Sequence, residues 1–185
     1  MIVFLTEEES MKVTLESVFS ATWPETINGI DWIVLYFQGK NDLEKNIPTK
    51  MQQWNYGEPH FVILRDQDGE DCLAVKERLR LLAEIAGKPF SIRVVCNELE
   101  SWLLGELDAV ESAFPTSKAS RLKDKAKFRD PDRLTNASDE LRKLVDMSGK
   151  VSRAKAIAEH FKPNDCVSHS FSVLWKKVVE LMPSA

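Results

Sequence analysis

The sequence predicts an α/β fold: a mainly parallel four-stranded sheet flanked by helices, continued by a helical C-terminal portion. Three observations lead there. Four short apolar runs, at 2–6, 31–37, 61–65 and 90–96, alternate with stretches of helical spacing, which is the pattern of βα units. The runs are almost continuously apolar rather than alternating, as strands covered on both faces are. From Glu98 onward the apolar positions keep helical spacing, and no further strand is convincing.

The elements follow in order. The run 2–6 is succeeded by polar residues and then by 11–19, a buried strand feeding a helix. Within 31–37, Trp32-Ile33-Val34-Leu35-Tyr36-Phe37 is the clearest strand of the chain. After the Gly39 turn, 41–54 has helical character, and Pro48 is expected to break or restart it, because proline lacks the amide donor and crowds the preceding turn. The third strand, 61–65, is ended by Asp66-Gln67-Asp68-Gly69. Over 72–86, Leu73, Val75, Leu79, Leu82, Ala83 and Ala86 fall near helical spacing, with Asp71 as the expected N-cap and Gly87 with Pro89 as the stop. After the strand at 90–96, helices are expected at 99–104, 137–145, 153–161 and 171–181. The expected organisation is one domain over 1–185, with an α/β core over 1–105 and a helical extension over 106–185 packed on it.

Composition narrows the function classes. With 43% hydrophobic and 29% charged residues, the chain reads as an ordinary soluble globular protein. The apolar start, 1–5, has no basic lead-in and soon meets Glu7, Glu8 and Glu9, so neither a signal peptide nor a membrane span is expected, and the expected location is cytoplasmic. Cys72, Cys96 and Cys166 are widely spaced with no CxxC pair, which argues against a disulfide framework or a zinc knuckle and for reduced thiols. The net charge of -4 is unevenly spread. Residues 1–111 carry 10 basic and 20 acidic side chains, a balance of -10, and residues 112–185 carry 15 and 9, a balance of +6. Such asymmetry suits an acidic catalytic half beside a basic surface facing phosphates.

In open parallel sheets ligands bind outside the carboxyl ends of the strands. Three strands here run into acids: the first into Glu7-Glu8, the third into Asp66-Gln67-Asp68, the fourth into Asn97-Glu98-Leu99-Glu100. In extended backbone Asp66 and Asp68 would point to the same side. Two carboxylates about 4 Å apart repel by roughly 4 kcal/mol at an effective dielectric near 20, which invites a shared proton or a cation. With Glu7 alongside, oxygen-ligated magnesium or manganese is the natural solution. Plainer readings stand beside this one: Asp-x-Asp-Gly also closes Asx turns, Glu7 to Glu9 also suit the first turn of a helix, and Glu98 and Glu100 also suit a solvated helical face.

Basic residues complete the picture. Lys40 after the second strand, Arg93 in the fourth and Lys150 before the helix at 153–161 are candidates to neutralise a phosphate. Lys118, Arg121, Lys123, Lys125, Lys127 and Arg129 form a run that is either a track for a nucleic-acid backbone or a solvated helical face. His169 reads as a cap neighbour, and Trp102 and Trp175 read as core.

Glu7 at the end of the first strand, followed by Asp66-Gln67-Asp68 at the end of a later one, resembles the Toprim domain of topoisomerases, primases and overcoming-lysogenization-defect nucleases. More closely, the chain resembles a bacterial Toprim-like family that often accompanies ATPases in phage-defence loci. The residues carrying that likeness are Glu7 with Ser10-Met11, Phe37-Gln38-Gly39-Lys40-x-Asp42-Leu43, and Asp66-Gln67-Asp68 with Asp71-Cys72. They continue with Arg93, Glu98-Leu99-Glu100-x-Trp102, Gly105, Phe128-Arg129-Asp130-Pro131-Asp132, and Asn164 with Ser168-His169-Ser170-Phe171. Two positions depart: Glu8 stands where Toprim enzymes usually carry Gly, and Glu106 where the close family often carries Asp.

The resemblance implies a metal-dependent phosphodiesterase, a nuclease on DNA or RNA in anti-phage defence. Glu7, Asp66 and Asp68 would hold magnesium or manganese, Glu98 or Glu100 would be an outer ligand or base, and Lys40 and Arg93 would assist on the phosphate. The partners it implies are nucleic acid and an ATPase protein, with assembly of like chains as a further option and no membrane. The competing expectation is a catalytically quiet binding or regulatory subunit of an ATPase-containing complex. The chain has no Walker glycine-lysine motif of its own.

Overall fold

A computed structural model describes residues 1–182. β1 (Ile2–Thr6), β2 (Trp32–Tyr36), β3 (His60–Asp66) and β4 (Phe90–Val95) form one sheet in the order β2-β1-β3-β4, every neighbouring pair parallel. They are joined by α1 (Glu9–Thr22), α2 (Lys40–Gln52) and α3 (Cys72–Glu84). Alternation along each strand divides its side chains between two cores. Ile2, Phe4, Val62 and Leu64 face Met11, Leu15, Val18 and Phe19 of α1. Val3, Leu5, Phe61 and Ile63 face Leu43, Ile47 and Met51 of α2 and Val75, Leu79 and Ala83 of α3. Both faces are therefore covered, and the strands had to be apolar throughout.

The helical half comprises α4 (Glu100–Leu104), α5 (Leu107–Ala113), α6 (Ala126–Arg129), α7 (Ala137–Leu144), α8 (Lys150–Ala158) and α9 (His169–Leu181). It lies over the α1 face: α8 packs along α1, α9 on β4, and Trp102, Leu141, Ile157, Phe171 and Leu174 join the same core as Phe4 and Leu64. An aromatic seam continues it, with Trp23 stacked on Trp175 at 4.8 Å and Trp102 edge-on to Phe171 at 5.3 Å. Trp102 is core, as expected.

Three expectations are corrected. α2 runs unbroken through Pro48, because Leu43, Ile47 and Met51 dock on the sheet and each buried side chain contributes roughly 1.5–3 kcal/mol, more in sum than the ~3 kcal/mol a proline costs inside a helix. α8 begins at Lys150 rather than Arg153, after Gly149 at φ 89. The basic run is no continuous helix: it is divided between the 3-10 turn Ala119–Leu122 and α6, and Lys118 has φ 49. α5 was not anticipated, since a stretch so short shows little periodicity. Asp71 caps α3 as expected, accepting from the Ala74 amide at 2.7 Å.

Candidate active site at the carboxyl edge of the sheet

The strand order reverses between β1 and β3, since α1 leads outward to β2 on one side while β3 and β4 lie on the other. At such a point the two strand ends leave a crevice. Glu7 follows β1 and Asp66 ends β3, and the adjacency of the two strands, with Thr6 opposite Leu64, brings them together. The Asp66 amide donates to Glu7 Oε2 at 3.1 Å.

Asp66 has the parity of Val62 and Leu64, so its side chain enters the α1 face. It is 4% exposed, and its Oδ1 has no hydrogen-bond partner. Burial, then the neighbouring charges of Glu8, Glu7 and Glu100, push this carboxyl well above the usual range, against the pull of Lys150. Glu100 opens α4, is 1% exposed and also has an oxygen, Oε2, without a hydrogen bond. Burial raises it too, with Lys150 opposing. The Lys150 ammonium, at the start of α8, stands 2.6 Å from Glu8 Oε1 and 3.7 Å from Glu100 Oε2. Glu7 is raised by burial and by Asp68, against the Asp66 amide and Arg65.

The other face of the edge is built on a fully buried arginine. Arg65 has the opposite parity to Asp66; its Nη1 lies 3.2 Å from Glu44 Oε1, its Nη2 pairs with Glu70, and its Nε is 3.9 Å from Glu7 Oε2. Glu70 also accepts from Arg78 at 2.9 Å and from Lys40 at 3.2 Å, and these hydrogen bonds, Arg65 first, hold its carboxyl at about 2. Lys40 reaches Asp68 Oδ2 at 3.2 Å as well.

Asp66 and Asp68 therefore do not project to one side. β3 ends at Asp66, and Asp68 sits in the left-handed region at φ 52 with its side chain 40% exposed at the rim. The extended spacing fails because the chain turns immediately after the strand. Asn97 after β4 is left-handed too, at φ 57, and its carbonyl accepts from the Asp68 amide at 3.1 Å. A cleft of about 290 Å³, lined by Asp68, Gly69, Asn97, Glu98 and Thr135, opens beside this pair. Aspartate and asparagine are the non-glycine residues that enter this region most readily, and here they turn the chain out of β3 and β4.

Of the fourth-strand acids, Glu100 joins Asp66, whereas Glu98 accepts from the Ser138 amide at 2.6 Å in the first turn of α7. Arg93 lies within β4, half-buried, where burial lowers it and Glu180 opposes; it is not at the carboxyl edge. In the basic run Lys123 pairs with Asp108, and Lys127 with Glu140 at 2.5 Å; Arg121, Lys125 and Arg129 are among the more open members. The turn after the run is tied to the edge: Asn97 Nδ2 donates to the Asp132 carbonyl at 2.7 Å, while the Asp132 carboxylate accepts from Ser168 Oγ at 2.6 Å and the Ser170 amide at 2.7 Å. A cavity of about 380 Å³ at the other end of α4, walled by Leu104, Leu107, Phe128 and Arg129 among others, contains none of the strand-end acids.

Sequence reasoning missed Arg65, Glu44 and Glu70. The signal was present: a charged residue inside the otherwise apolar run Phe61-Val62-Ile63-Leu64-Arg65 has to find carboxylates.

The family model for a domain of unknown function, DUF4276, matches residues 5–178. The chain belongs to this family. This DUF4276 protein is similar in structure to the C-terminal region of the Burkholderia pseudomallei OLD protein, with 20% identity, a TM-score of 0.59, and coverage of 97% of this chain and 95% of that one. At that identity the likeness establishes the fold, and the expected Toprim-like α/β architecture is borne out. Among curated proteins no sequence matches.

The donors of this DUF4276 edge suit a hard divalent cation: they are all carboxylates, and buried oxygens of Asp66 and Glu100 lack partners. As placed, no three His, Cys, Asp or Glu side chains among the described residues surround one point as a metal ion requires. The cation found among Glu8, Glu100 and Asp66 is the Lys150 ammonium.

Proposed function

We propose that this protein is a magnesium- or manganese-dependent phosphodiesterase acting on DNA or RNA. The observation supporting this is the meeting of Glu7 and Asp66 at the reversal point of the strand order, with buried carboxylate oxygens left unpartnered. Glu7 and Asp66 would hold the ion and Glu100 would stand as the outer ligand or base; Asp68, turned out to the rim and paired with Lys40, and Glu98, engaged by α7, are set aside. The bound ion would activate water and offset charge on the leaving oxygen of an in-line displacement. Arg65 holds Glu7 from behind, burial raises the Glu100 carboxyl and so makes it a stronger proton acceptor than an ordinary carboxylate, and Lys40 carries positive charge at the rim beside Asp68. A place in anti-phage defence beside an ATPase protein follows from the sequence resemblance alone.

Digestion of plasmid, single-stranded DNA and tRNA with each ion tests this. The expected result is ion-dependent cleavage by the parent and at least a hundredfold less by Asp66→Asn; no cleavage of any substrate by the parent would refute it. A second reading, a catalytically quiet subunit, is favoured by one feature: Lys150 already neutralises the acids. It predicts nucleic-acid or ATPase binding that is indifferent to both ions.

A further inference from the structure

Lys150 is placed where a cation is ordinarily unwelcome. It is the first residue of α8, where the amide ends of the helix disfavour positive charge, and the preceding Gly149 offers no side-chain cap. What offsets this is the acid cluster: Glu8 Oε1 at 2.6 Å, Glu100 Oε2 at 3.7 Å, and the field of buried Asp66. Glu100 and Asp66 are each more than nine-tenths buried, and each has one oxygen with no hydrogen bond. Lys150 thus supplies charge to these carboxylates without satisfying their lone pairs. An ion of higher charge that can be bound by several oxygens would satisfy both needs.

We propose that Lys150 is the resident counter-cation of this site and competes with the divalent ion, so that metal entry expels the ammonium from the carboxylates. This rests on the metal-binding reading above and adds its regulation: metal occupancy is set against an internal rival, and loading moves the head of α8. The ammonium and a divalent ion do not share the cluster, because like charges at contact distance repel strongly at the dielectric of a partly buried site. Glu8 makes the closest approach to Lys150 and so strengthens the competitor.

The test uses the full chain with manganese or magnesium alone. Calorimetry of ion binding compares the parent with Lys150→Met and, in case that variant folds poorly, Lys150→Gln. Residue-resolved acylation of the parent, read by mass spectrometry, reports the freedom of Lys150, with exposed Lys45 as internal control. The proposal expects at least about tenfold tighter ion binding without the ammonium. It also expects Lys150 acylation to rise several-fold at saturating ion while Lys45 stays constant. Ion binding by the variants but not by the parent would support the same conclusion in its strongest form. Equal affinity in parent and variants, with unchanged Lys150 acylation, would overturn the competition while leaving the metal site standing. No ion binding by parent or variants would overturn both.

Discussion

Ionising Asp66 in place leaves a buried negative charge with an unpartnered oxygen, and this makes the metal-free protein sensitive to pH in an unusual direction. A carboxyl whose folded value is raised binds more protons in the native state than in the unfolded one, so stability is present at low pH and is lost as pH rises above the ordinary carboxyl range. Glu7 and Glu100 act in the same direction, and Glu70, held at about 2, acts oppositely, its contribution being lost as pH falls from the ordinary carboxyl range toward 2. Thermal melts without divalent ion should therefore show a decline from about pH 5 toward neutrality, in the range above the ordinary carboxyl values. Asp66→Asn should flatten that decline and raise the neutral-pH melting temperature by at least about 2 °C, roughly what 1 kcal/mol gives for a chain this size. It should also lose the stabilisation that added magnesium gives the parent by mass action. A parent curve that rises over that range would contradict the buried-acid picture. Arg65 is the converse case. Arg65→Met should cost about 3–5 kcal/mol in denaturant melts, because Glu44 and Glu7 would lose their buried counter-charge; a loss below about 1 kcal/mol would mean that those acids are neutral or hydrated.

Among the elements, α2 tolerates a proline because of what it covers. Pro48 removes the amide that would donate to the Glu44 carbonyl, one turn back on the helix that also presents the Glu44 carboxylate to Arg65. Pro48→Ala should restore that bond and stabilise the protein by up to about 3 kcal/mol, measured as a shift in the denaturant midpoint at constant slope. An unchanged midpoint would show that the helix has already adapted its backbone to the ring. The acid site lies between two fixed elements: β1 and β3 are pinned in register, and α4 carries Glu100 in from the helical half.

For the whole molecule, the basic run over 118–129 is the surface that the proposed nucleic-acid function would use. If nucleic acid follows the run that ends at Arg129, removing one basic side chain from its phosphate lowers the slope of log affinity against log salt by about 0.9 on duplex DNA. The double variant Arg121→Ala/Lys125→Ala should then reduce the slope by about 2, whereas Lys123→Ala, whose charge is already met by Asp108, should change it less. Equal slopes in parent and double variant would remove the run from the interface. The sequence by itself determined the four strands, their parallel pairing and the helical second half, because strands buried on both faces must be apolar throughout and the helices between them must keep their period. It also marked Glu7, Asp66, Asp68 and the pair Glu98 and Glu100, since acids that follow such strands fall at the carboxyl edge of the sheet. Only the tertiary structure decided which acids share a face. Asp68 turns out to the rim because the chain becomes left-handed there, Glu98 is claimed by the Ser138 amide of α7, and Lys150 arrives from far along the chain. Those choices depend on backbone conformation at single residues and on helix packing over long sequence distance, neither of which leaves a periodic trace in the sequence.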